Sequence, residues 1–129
     1  MNPQDDLEAR VIKGLRQAGA RFAFVHGSRA LLAQPDLDER DLDIGAWWGR
    51  EHPPAAWDTP LPEGVDLLVL DDAPLELAGR VALTGRLLFD DDPPARVRWL
   101  AQTRLIYLDE EPRQRELDRL YLSARAHGR

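Results

Sequence analysis

Three short β-prone runs set the frame of this chain. Residues 21–26, 41–48 and 65–70 each stop or start at a glycine (Gly27, Gly49, Gly64), and none is longer than eight residues. That length suits a strand and is too short for a free-standing helix. Around them the apolar spacing is helical. Leu7, Val11, Ile12 and Leu15 repeat at helical intervals from Asp5 to Ala18, with acids in the first turn and Gly19 as a stop. Ser28 reads as the cap of a short helix to about Gln34, closed by Pro35. A polar, acidic stretch then leads from Pro35 to Arg40.

The segment between Gly49 and Gly64 is rich in proline (Pro53, Pro54, Pro60, Pro62) and reads as a loop. Pro74 opens a helix to Leu83, stopped by Gly85, and Arg86–Phe89 reads as a fourth strand. From Pro93 two helical segments are expected, one through Leu105 and one after Pro112, giving a C-terminal helical pair over about 93–125. The order α-β-α-β-β-α-β-α-α describes a single α+β domain over 1–129, a small mixed sheet flanked by helices.

Composition narrows the function. With no cysteine, thiolate metal sites, cysteine nucleophiles and disulfides are excluded. No apolar run approaches the roughly 20 residues of a membrane span. The acidic start, Met1 to Asp6, lacks the pattern of a signal peptide. A cytoplasmic, soluble protein is expected. The formal charge of −6, with 23 acidic against 17 basic side chains, offers no clustered cationic surface for direct nucleic-acid binding.

The chemistry gathers where the strands begin and end. In a strand, residues two apart point to one face, so Asp41 and Asp43 present both carboxylates together while Leu42 turns into the core. Like charges that close favour a bound cation. Mg²⁺ prefers one or two carboxylates plus substrate phosphates, and Asp66 from the next strand completes a set suited to two-metal phosphoryl transfer. Gly27-Ser28 at a strand end adds a permissive backbone, a hydroxyl and the free N–H groups of a helix start, which suit the β- and γ-phosphates of a nucleotide.

The Asp-x-Asp spacing recurs at Asp36/Asp38 and Asp90/Asp92. Those two lie beside proline in loops and read as solvated turns; only Asp41/Asp43 runs straight into an apolar strand after a Gly-Ser turn.

The run Val25-His26-Gly27-Ser28-Arg29-Ala30, followed by Asp41-Leu42-Asp43-Ile44, resembles the DNA polymerase β-like nucleotidyltransferase superfamily, and within it the MNT branch of HEPN/MNT toxin–antitoxin systems. Val65 to Pro74 is similar to the segment carrying that family's third acid, and Gly85 to Phe89 to its final strand. The resemblance implies that Gly27, Ser28 and Arg29 bind the nucleotide, and that Asp41, Asp43 and Asp66 form the catalytic set and hold Mg²⁺. Asp66 would bind metal or accept the proton of the attacking hydroxyl. It further implies AMP transfer from ATP to a tyrosine of a cognate HEPN toxin, which silences its ribonuclease. The partner is then that toxin, and the oligomeric state stays open. The spacer between Ser28 and Asp41 is twelve residues, Arg40 stands where a small residue is usual, and Leu31 where glycine is common. These departures carry the alternative: a degenerate, non-catalytic domain that neutralises its partner by binding alone. An antibiotic-modifying enzyme fits least, for want of an acceptor domain.

Other residues weigh less. His26 reads as a locally bonded strand-end histidine, and His52 and His127 lack a third ligand for zinc. Of Trp47 and Trp48, alternation sends one outward, towards a base or a partner; Trp57 sits in the loop nearby.

Overall fold

In the computed structural model, residues 3–27 and 42–126 are described. Helix α1 spans Pro3–Gln17 and is followed by strands β1 (Phe22–His26), β2 (Leu42–Trp47) and β3 (Val65–Val69). Helix α2 (Leu75–Thr84), strand β4 (Arg86–Asp90) and helix α3 (Pro93–Ala126) complete the order. The strands form one sheet in the order β3-β2-β1-β4. β1 runs antiparallel to β2 and to β4, whereas β2 and β3 are parallel. The sheet is therefore mixed, as expected. The short helix anticipated at 28–34 lies outside the described residues.

Two-residue alternation sorts each strand between two apolar layers. Ala23, Val25, Leu42, Ile44 and Ala46 pack with Val11 and Leu15 of α1, and Leu7 and Ile12 support them. Trp48 joins this layer fully buried, its indole Nε1 donating to the Ala18 carbonyl at 3.0 Å. Phe22 and Phe24 point the other way, to Val81 of α2 and to Ala95, Trp99 and Leu100 of α3. Trp47 lies on that second face, stacked on Phe22 with centroids 5.1 Å apart. Trp48 is therefore core, whereas Trp47 packs on Phe22 and stays half-buried. Gly79 of α2 is needed by the packing: a Cβ there would run into the Tyr107 ring of α3.

Asp71 explains where two strands stop. Its carboxylate accepts the backbone N–H groups of Trp48 (2.9 Å), Gly49 (2.6 Å) and Arg50 (3.3 Å). That draws Trp48 off the ladder, so β2 ends at Trp47 rather than Trp48. On its own side Asp71 sits in a 3-10 turn, Leu70–Asp72, so β3 ends at Val69 and not Leu70.

The expected C-terminal helical pair is instead one helix, continuous from Pro93 to Ala126 over 34 residues. A proline inside a helix forfeits one backbone hydrogen bond and crowds the preceding turn, costing about 3 kcal/mol. At Pro112 that local cost does not separate the segments. No helix among the described residues is long and apolar enough to cross a membrane.

Candidate active site

The site grows from the ends of three adjacent strands. β1 and β2 pair so that His26 stands opposite Asp43; β2 and β3 pair so that Asp43 stands beside Asp66. Neighbouring strands are roughly 4.8 Å apart, and register partners project to the same side of a sheet. His26 shares its face with Phe24 and Phe22, Asp43 with Trp47, and Asp66 with Leu68, the residues of the α2/α3 layer. The three side chains thus form a row across one end of that face. The helices cover the other end.

Gly27 follows directly and closes the turn with φ +77°, a left-handed conformation that side chains resist. Space demands glycine as well, since a Cβ there would stand 2.7 Å from Oδ2 of Asp43. The backbone at the end of β1 therefore passes close against the Asp43 carboxylate.

Burial holds the His26 imidazole below its usual pKa, opposed by the Asp43 carboxylate and a backbone hydrogen bond at Ile44. Among the described residues its Nε2 is buried without a hydrogen-bond partner. The ring thus stands beside the carboxylates as a locally hydrogen-bonded strand-end histidine, as the sequence reading had it, but its place in their row was not foreseen. The available signal was parity, because His26 lies two residues beyond Phe24 and so shares its face.

Of the residues expected from sequence, Gly27, Asp43 and Asp66 are brought together. Ser28, Arg29 and Asp41 lie outside the described residues. Asp43 is half-buried and Asp66 exposed, so the pair can be reached from solvent. Two carboxylates in register repel unless a cation lies between them. All-oxygen donors beside a tightly passing backbone suit a hard ion such as Mg²⁺, which keeps positions for phosphate oxygens and water. Among the described residues no group of three His, Asp or Glu side chains forms a metal cluster by itself. The pair fits the ion as part of a larger set.

No protein-family model matches the sequence. No curated protein matches it either. Solved structures do. A toxin–antitoxin complex with AMP-PNP contains a chain that superposes with a TM-score of 0.70 at 22% identity, covering 88% of this chain and 98% of that one. The complex of tri-AMPylated Shewanella oneidensis HEPN toxin with MNT antitoxin gives a TM-score of 0.69 at 22% identity, covering 92% and 98%. The MntA–HepT toxin–antitoxin complex gives 0.68 at 21%, covering 92% and 99%. The agreement runs nearly end to end in both directions. The chain therefore carries the α+β nucleotidyltransferase fold of the MNT antitoxins.

Proposed function

We propose that this single-domain chain is a Mg²⁺-dependent nucleotidyltransferase that moves AMP from ATP onto a HEPN-type partner protein and acts as its antitoxin. The observation that carries the reading is the register pairing of Asp43 with Asp66 beside the positive-φ turn at Gly27. The structural likeness to MNT chains solved with AMP-PNP and with an AMPylated toxin supports it.

In this reading the turn at Gly27 lets the triphosphate approach the backbone, while Ser28 and Arg29 hold its oxygens through N–H, hydroxyl and guanidinium groups. Asp41, Asp43 and Asp66 would hold Mg²⁺, which would supply charge neutralisation at the phosphate oxygens. The acceptor is a tyrosine hydroxyl. Its oxygen forms a bond to the α-phosphorus as the bond from that phosphorus to the bridging oxygen breaks. Pyrophosphate leaves, and Asp66, the more exposed carboxylate, receives the hydroxyl proton.

Transfer of labelled AMP from ATP to the HEPN partner tests the proposal. Asp43→Asn combined with Asp66→Asn removes both charges with little change in shape. A loss of about a thousandfold or more is expected, corresponding to several kcal/mol of transition-state stabilisation. Equal labelling by the double variant would overturn the catalytic assignment.

A further inference from the structure

Among the described residues β3 is the outer strand of the sheet, with β2 on one side only. The Leu42 N–H donates to the Gly64 carbonyl at 3.3 Å. In a parallel ladder this fixes the alternation, turning the backbone groups of Asp66 and Leu68 towards β2 and those of Val65 and Leu67 towards the open edge. Among the described residues no backbone hydrogen bond reaches that edge.

The edge is not flat surface. A cavity of ≈ 490 Å³ is lined by Val65, Asp66 and Leu67 of β3 opposite Ala56, Trp57 and Thr59. A second, of ≈ 350 Å³, continues along Leu67, Leu68 and Val69, again with Trp57 in its wall. Together they make a trench along the full length of β3. Trp57, on the short 3-10 turn Ala56–Asp58, is 87% exposed at the junction. An exposed indole over an unpaired strand edge is the arrangement that binds an extended peptide, with main-chain bonds for affinity and a side-chain contact for choice. One end of the trench is lined by Asp66, so its occupant lies beside the candidate active site. A nucleotide held at the Gly27 turn would occupy the β1 side of the carboxylate row, which leaves the β3 side to the second substrate.

We propose that the open edge of β3 receives an extended segment of the acceptor protein as an added strand, clamped by Trp57, which sets the acceptor hydroxyl against Asp66. The inference rests on the nucleotidyltransferase reading and adds to it the form in which the acceptor is bound.

The test uses the full chain, the HEPN partner and synthetic peptides centred in turn on each tyrosine of the partner. Trp57→Ala is expected to raise the KM for the HEPN partner at least about tenfold while leaving the KM for ATP unchanged, and Trp57→Phe to restore most of it. Leu67→Pro, which deletes an edge-facing N–H and spares the ladder to β2, should act in the same direction. In a ¹⁵N NMR titration at least one of these peptides should shift the Val65 and Leu67 amides and the Trp57 indole, and Trp57→Ala should abolish binding. An unchanged KM for the partner in Trp57→Ala would overturn the proposal, as would a rise in the KM for ATP alone, which would make Trp57 a base platform. If the wild-type chain transfers no AMP, the enzymatic reading fails by itself. The peptide titration then decides the docking edge independently, with shifts at β3 supporting it and none overturning it.

Discussion

On the α1 side of the sheet, every residue that β1 and β2 contribute is apolar and buried, from Ala23 and Val25 to Leu42, Ile44 and Ala46. On the α2/α3 side the same strands begin as a core, with Phe22, Phe24 and Trp47, and finish as a polar row of His26, Asp43 and Asp66. The first face buys stability. The second divides its length: α2 and α3 cover the end with Phe22, Phe24 and Trp47, and at the other end Asp43 is only half-buried and Asp66 exposed, which spares two like charges a burial cost of several kcal/mol each. Fold and site are thus separated by strand parity and by how far the covering helices reach.

Substitutions on each face can break that contrast. Trp48→Ala empties a fully buried site in the α1 layer and removes the bond to Ala18, so denaturant unfolding should show a loss of about 3–5 kcal/mol. Trp47→Ala, on a half-buried ring, should cost clearly less. If the two losses match, the faces do not differ as described.

Gly27→Ala should come next. Its positive φ and the nearby Asp43 oxygen predict a cost of about 1–3 kcal/mol from strained backbone, with AMP transfer falling further than stability does. An unaffected melting curve would show that the turn is not constrained.

Asp66→Asn should have the opposite sign, because it relieves a like charge beside Asp43 in register. Without divalent ions a gain of about 0.2–1 kcal/mol is expected. Added Mg²⁺ should raise the melting temperature of the wild type more than that of the variant, and a chelator should erase the difference. Equal Mg²⁺ responses would argue against Asp66 as a ligand.

The smallest effect belongs to the rim of the α1 face. Arg16 donates two hydrogen bonds to Asp91, both at 2.8 Å, and they hold the Asp91 carboxyl below its ordinary pKa. A carboxylate lowered in the folded state contributes stability above its unfolded value of 3.8 and loses it as pH falls through the lower, folded value. Both groups are exposed, so Arg16→Ala should flatten the acid limb of a stability–pH profile below about pH 4 only slightly. No change there would mark the pair as structurally idle.

Much of the fold was readable because short β-prone runs ended at glycine and helical spacing filled the gaps between them. β1, β3 and α2 fall within one or two residues of where those signals put them. Gly27, Asp43 and Asp66 were readable as a set through resemblance and parity. Their alignment was not, since nothing in the spacing states that residue 43 pairs with residue 66. The stop of β2 depended on Asp71, more than twenty residues away, which local propensity cannot register. Pro112 misled for the same reason: a rule about local hydrogen bonds overrode a helix long enough to absorb the defect. The place of His26 in the row was not readable, because a single histidine has no neighbour until the strand opposite supplies one.

The parallel pairing of β2 and β3 forces a long return path, and residues 48–64 provide it without taking part in the carboxylate alignment. Asp71 pins the start of that path, and Gly64 receives its end. Between those anchors Ala56 and Leu61 pack on the α1-side core and Thr59 is buried, so change there is confined to exposed positions such as Glu51, His52 and Trp57. Changes at those positions would leave the pairing of residue 43 with residue 66 untouched.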